Sequence, residues 1–163
     1  MISKARLGRM RQQGYENISN DDLAKLHFGN RFAYMLCTSV LIIGVATASV
    51  HVLLAMMTIA FGTIILPYHP FDYIYNGLLR GILRLPKLPP RSKQLKFACT
   101  IASAWIGATT LLFYFGMMTA GYLAGGMLIC VATLVSTTDI CIPSIVYNLL
   151  FKVRIEGSPD MHQ

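Results

Sequence analysis

Charge is scarce in this chain. Only 13% of its residues are charged, with seven acidic side chains against fourteen basic ones, while 55% are hydrophobic and mean hydropathy is +0.55. Soluble domains carry nearer to about a quarter charged residues, so the composition excludes an ordinary soluble protein and predicts an integral membrane one. From Phe32 to Pro67 there is no Lys, Arg, Asp or Glu in 36 residues, and from Phe97 to Ile140 only Asp139 is charged. Little chain is left over for a separate soluble domain. The first 31 residues lack the apolar core of a signal peptide, so the first span is expected to act as its own uncleaved insertion signal. Gly-rich phosphate loops, paired carboxylates at catalytic spacing and Cys/His zinc spacing are also missing. No predicted span holds an interior histidine, which argues against haem. The expectation is therefore no cofactor and no metal. Four cysteines are an even number, but Cys37, Cys99 and Cys130 lie within apolar runs and Cys141 at the end of one, unlike a secreted disulfide framework.

The two apolar blocks are what is there. A single helix over Phe32–Pro67 would reach roughly 54 Å, against a hydrocarbon core of about 30 Å. The block therefore divides into two spans, about Phe32–Ala48 and Val50–Pro67, turning near Thr47-Ala48-Ser49-Val50-His51, with His51 as a polar turn residue. Pro67 and Pro70 end the second span by removing amide donors. The second block repeats the plan, with spans over Phe97–Phe113 and about Thr119–Thr138 and an uncharged connector, Tyr114–Met118. The expected fold is all-α: four transmembrane helices as two parallel-repeat hairpins, plus interfacial amphipathic helices. The divisions are a basic N-terminal segment (1–31), a first hairpin (32–67), an interfacial helix and linker (68–96), a second hairpin (97–140), and an interfacial segment and tail (141–163).

Between the hairpins, Phe71, Ile74, Tyr75, Leu78, Leu79, Ile82 and Leu83 recur at helical spacing with Arg80 and Arg84 interleaved, which predicts an amphipathic helix in the interface plane. Pro86, Pro89 and Pro90 stop it. Arg80, Arg84, Lys87, Arg91, Lys93 and Lys96 are expected at lipid head groups. Before the first hairpin, Ser19-Asn20-Asp21-Asp22 has the chemistry of a helix N-terminus and predicts a short surface helix through Leu23, Leu26 and Phe28. After the second, Cys141-Ile142-Pro143-Ser144 breaks the helix, and a further interfacial segment runs from Ile145 to Arg154. Residues 1–31 carry six Lys/Arg, 68–96 six and 141–163 two, whereas both hairpin turns carry none. Both termini and the connector are therefore expected on the cytoplasmic side. Basic residues beside apolar spans meet lipid rather than nucleic acid.

The halves resemble one another. Arg31-Phe32-Ala33 opens the first hairpin and Lys96-Phe97-Ala98 the second. Pro70 followed by Tyr75-Asn76 closes the first, and Pro143 followed by Tyr147-Asn148 the second. Two spans per half imply repeats related by an axis near the membrane normal. Gly44/Ala48, Ala98/Ala102 and Gly121/Gly125 place small residues where helices can approach closely, within the bundle or against another membrane subunit or a second copy.

These features, with Arg/Lys-Phe-Ala at span starts, a basic connector after Tyr68-His69-Pro70-Phe71 and Cys141 after the fourth span, resemble the bacterial membrane family known as domain of unknown function 4395, over roughly residues 31–152. The resemblance implies a four-span bacterial inner-membrane protein. It also implies a second cysteine three positions after Cys141, where this chain has Ser144.

One polar constellation stands out at the expected cytoplasmic ends of the second and fourth spans: His69, Asp72, Tyr75, Asp139, Cys141, Ser144 and Tyr147, beside Ser136, Thr137 and Thr138. Pairing of the halves would bring His69 and Cys141 to matching depth. The bland reading makes Asp72 and Ser144 helix caps, Tyr75 and Tyr147 head-group anchors, and Cys141 an apolar filler. Two functions follow. The first is a non-catalytic accessory or scaffold subunit of a larger membrane complex. The alternative is a thiol- or sulfur-handling redox protein or small transporter using Cys141 with His69 or Asp139. Lipid binding through Asp72–Leu85 is a weaker third. The partners expected are membrane lipids and other membrane subunits or further copies of the chain.

Overall fold

The computed structural model describes residues 3–16 and 18–153; the expected end of the last segment at Arg154, the tail after it and His162 lie outside the described residues. Among the described residues the fold is all-helical. In order the helices are α1 (Lys4–Gln12), α2 (Asn20–Ala46), α3 (Val50–Ile65), α4 (Pro70–Ile74), a wide π turn (Tyr75–Leu79), α5 (Arg80–Leu83), α6 (Lys93–Tyr114), α7 (Met118–Thr138) and α8 (Ile142–Leu150). Three of them, α2, α6 and α7, are long and apolar enough to cross a membrane. A fourth span results if α3 and the following Pro70–Leu83 stretch count as one, bent by 80°.

Side-chain caps fix most of the starts. Ser3, Ser19, Ser49 and Ser92 each accept from the backbone amide three residues on, at Arg6, Asp22, Val52 and Leu95. The predicted turn between the first two spans is where it was expected, with Thr47 closing α2 and Ala48 in the left-handed region at φ 46°. The expected break before Phe32 is absent, however. Leu23, Leu26 and Phe28 are part of α2, which runs 27 residues from the Ser19 cap into the first apolar block. Gly29 does not interrupt it, because the Tyr75 ring lies so close that a Cβ at this position would come within 2.5 Å of Tyr75 Cζ. No residue pattern marked α1 either, whose surface is mostly basic and polar.

Four helices close a ring: α2 packs on α3, α3 on α6, α6 on α7, and α7 back on α2. Leu41, Val45, Leu53, Met56, Ala60, Ile106, Phe113 and Leu128 form its core. Trp105 ties α6 to α7 by donating its indole N–H to the Ala124 carbonyl at 3.0 Å. A second core of Met10, Tyr15, Leu23, Leu26, Tyr75, Leu88 and Leu95 sits at the end where the polar segments gather. It holds down α1 and the connector. Leu88 N–H donates to Asn76 Oδ1 at 2.9 Å and Arg91 N–H to the Pro67 carbonyl at 2.7 Å, so the proline-rich linker is pinned along its length.

Candidate functional site

Two buried polar assemblies occupy this end of the ring, joined through Gln13. The first is built on Asp72. Its Oδ2 accepts the His69 backbone N–H at 3.0 Å and thereby starts α4, with Pro70 in the first helical position, where its missing amide costs nothing. The same carboxylate takes a bidentate grip from Arg91, with Nε and Nη2 both at 2.6 Å. Arg91 is 7% exposed and Asp72 0%. Arg91 was expected at the lipid head groups; it is instead the buried counter-ion of Asp72, and it also donates to Asn30 Oδ1 at 3.0 Å. Asn30 passes the connection on, its Nδ2 donating to Gln13 Oε1 at 3.1 Å, and Gln13 Nε2 donates to the Asp139 carbonyl at 2.8 Å.

The second assembly caps the end of α7. Its last carbonyls, at Ser136, Thr137 and Thr138, accept from Arg31 at 2.7 Å, Arg6 at 3.4 Å and Arg9 at 2.8 Å. Three cations there complement the negative end of the helix dipole. Asp139 ends the helix in the left-handed conformation at φ 63°, which Asp tolerates better than most residues. Its fully buried carboxylate meets His27 Nε2 at 2.9 Å and Arg6 at 3.9 Å. Half of the basic N-terminal segment is thus committed to one helix end.

Between the four ring helices lies a cavity of about 140 Å³ with a lining that is almost entirely apolar. Three cysteines reach it from three places: Cys37 from α2, Cys99 from α6 and Cys141 from the break between α7 and α8. Tyr34, His69 and Arg91 line its polar end, and Leu41, Met56, Ile106 and Leu128 its apolar end. His69 Nε2 stands 3.5 Å from Cys37 Sγ, while His69 Nδ1 accepts from the Phe71 backbone N–H at 3.2 Å. A backbone amide can only donate, so the neutral ring must carry its proton on Nε2, directed at the sulfur. His69 is therefore a hydrogen-bond donor toward Cys37 and not a base for it. Ser144 donates to Cys141 Sγ at 3.1 Å. Burial pushes the Cys141 thiol up, against the lowering effect of that hydrogen bond.

Burial pushes His69 down to about 4, with the Arg91 guanidinium acting in the same direction and Asp72 opposing. The folded chain thus leaves the ring neutral at pH values where an unfolded chain, with the ordinary value of 6.5, takes up a proton. Its contribution to stability is whole above pH 6.5 and is lost as pH falls toward 4, by on the order of 3 kcal/mol. The unfolding midpoint of the detergent-solubilised protein should fall with acid across this window. In His69→Asn, which keeps a capping oxygen for α4, that slope should flatten.

The seven residues expected to cluster are dispersed. His69 and Cys141 do line one cavity, with Ser144 behind Cys141. Asp72 lies below it, paired to Arg91, and Asp139 belongs to the α7 cap with His27. Tyr75 and Tyr147 belong to neither. Tyr75 is fully buried, with no hydrogen-bond partner for its hydroxyl among the described residues, and Tyr147 packs between Phe97 and Phe151. Cys37, Cys99, Tyr34, Asn30, Gln13 and His27 were not foreseen as site residues. A signal for the first three was present: Tyr34, Cys37, Thr38 and Leu41, and likewise Leu95, Ala98, Cys99, Ala102 and Ile106, each form one helical stripe. Of the other expected head-group residues, Arg80, Arg84, Lys87 and Lys93 are exposed, whereas Lys96 donates to the Ile64 carbonyl at 3.2 Å, near the end of α3.

A family model described as "Domain of unknown function (DUF4395)" matches residues 28–152. The chain belongs to this family. The matched stretch contains every residue lining the cavity, and it leaves out α1, Gln13 and His27. The DUF4395 region thus comprises the ring and its cavity, and the preceding segment adds Gln13 and His27 to the buried polar assemblies beside them. No curated protein and no solved structure matches the chain.

Proposed function

We propose that this DUF4395 protein is a four-span protein of the bacterial inner membrane that handles a thiol or sulfur compound within its helix ring, as a redox carrier or small transporter. The observation that carries the reading is the convergence of Cys37, Cys99 and Cys141 with His69 on one apolar cavity. Three thiols from separate parts of the chain are more than packing requires, since alanine or valine fills such positions without a reactive atom. His27 takes up Asp139, so the chemistry falls to Cys141 with His69, joined by Cys37 and Cys99.

The duplicated architecture belongs to the same proposal. Exchanging α2 with α6 and α3 with α7 turns the α3–α6 contact into the α7–α2 contact, as a pseudo-two-fold axis requires, and both of these pairs pack closely. The cytoplasmic placement of both termini and the connector rests on the basic residues, four of which (Arg6, Arg9, Arg31 and Arg91) converge on the polar end of the ring. Arg80, Arg84, Lys87 and Lys93, exposed beside the exposed Leu78 and Ile82, are suited to lipid head groups.

An accessory subunit is less well supported once the helices are packed. The small residues that suggested a partner are occupied inside the chain: Gly44 lies under Leu53, Gly121 under Phe113 and Gly125 against Val45. Ala98 and Ala102 face the cavity.

The test is the sulfur state of the protein as it exists in cells. Membranes quenched in acid, alkylated and measured by intact mass and peptide mapping should show a disulfide or a sulfur-bearing adduct on at least one of Cys37, Cys99 and Cys141. A reductant should remove it, and Cys130, exposed on the outside of α7, should lack it. Three unmodified thiols under both oxidising and sulfur-rich growth would count decisively against the proposal.

A further inference from the structure

The cavity limits what can occupy it, in charge, in size and in the polar contact offered. The polar end has no charge to spare: the Arg91 guanidinium is held by both oxygens of Asp72 and by Asn30, and the pair as a whole is neutral. An ion entering would lose its hydration without gaining a counter-ion, at a cost of several kcal/mol. A metal ion is disfavoured as well, because no group of three His, Cys, Asp or Glu among the described residues lies close enough to hold one. The volume, about 140 Å³, is that of an apolar cavity able to hold one molecule of about the bulk of benzene. Near the thiols the directed donor is the His69 Nε2–H, since the Tyr34 hydroxyl already donates to Gln13 and the guanidinium is taken. Soft sulfur atoms are its present acceptor and the commonest polar atoms of the wall.

From these limits we propose that the cavity binds one small, uncharged organosulfur molecule, a thiol, thioether or disulfide of a few carbons, with its sulfur toward the thiols and His69 and its alkyl groups against Leu41, Ile106 and Leu128. This rests on the thiol-handling reading and specifies its substrate class. Anionic sulfur compounds such as thiosulfate are excluded by the same site, because they would be buried without a free cation.

The experiment measures protection in the full-length protein in mild detergent. The rate of N-ethylmaleimide addition at each cysteine is followed by peptide mapping, alone and with diethyl sulfide or thiosulfate present. Diethyl sulfide should slow addition at Cys37, Cys99 and Cys141 severalfold and leave Cys130 unchanged; thiosulfate should slow none of them. In Ala102→Leu, which fills part of the cavity, addition at Cys37, Cys99 and Cys141 should be slow even without diethyl sulfide, while Cys130 reacts at its usual rate. Protection by thiosulfate, or by neither compound while the three thiols still react, would overturn the substrate class and leave the thiol-handling reading intact. Three thiols unreactive toward the maleimide in the folded protein would overturn both.

Discussion

Replacing Arg91 by Met should cost about 3–5 kcal/mol, a large share of the roughly 5–15 kcal/mol that holds a typical domain folded. The substitution leaves Asp72 at zero exposure with its bidentate partner gone. It also strips Asn30 of a donor, and through Asn30 it loosens the grip of Gln13 on the end of α7. Lysine should rescue little, because a point charge cannot supply the forked pair of hydrogen bonds. Asp72→Leu alone should be comparably harmful, since it buries an unpaired guanidinium and also removes the acceptor for the His69 amide. The double variant Asp72→Leu/Arg91→Met should lose clearly less than the sum of the single losses, since neither charge is then stranded. Unfolding in mild detergent, followed by tryptophan emission from Trp105, measures all four corners of this cycle. Additive losses would mean that the pair is not the electrostatic unit described.

The hairpins were legible because their signal is long-range and one-dimensional: uncharged runs, prolines at their ends, and a small-polar turn at Thr47-Ala48-Ser49. The continuity of α2 was not. Gly29-Asn30-Arg31 has the composition of a helix boundary, and only the Tyr75 ring against Gly29 and the bonds to Asn30 make it a helix interior. Both depend on residues from fifteen to about sixty positions away. Arg91 was misplaced for the same reason. Beside Pro89 and Pro90 it reads as one more cation near a membrane, and nothing local points to Asp72, nineteen residues earlier. Within the candidate site, His69 and Cys141 could be found because they sit at polar breaks. Cys37 and Cys99 are embedded in apolar runs, where a cysteine passes for a small hydrophobe unless the helical stripe it belongs to is traced. The arginine cap on α7 was hidden more deeply. Its arginines look like a topology signal, and their carbonyl partners lie more than a hundred residues away.

The chemistry of the cavity follows from what surrounds the sulfur atoms. Burial raises the Cys141 thiol, and the tautomer of His69 leaves it no free lone pair to take a proton from Cys37. Such a site is poor at keeping a resting thiolate and suited to holding a neutral sulfur ligand among protonated thiols. That sets it apart from a protease-like Cys–His pair, in which the imidazole accepts the proton.

Cys37, Cys99 and Cys141 share a single cavity with room for one small molecule. The most direct test is the stoichiometry of N-ethylmaleimide addition to the folded protein, read by intact mass. The reagent is somewhat bulkier than benzene, so one adduct should fill the space and block the remaining cavity thiols. Addition should level off at two adducts, one on Cys130 and one distributed among the three cavity cysteines, and should go on to four only after unfolding. Four adducts on the folded chain, formed at similar rates, would show that the three thiols do not share the cavity and would contradict the account.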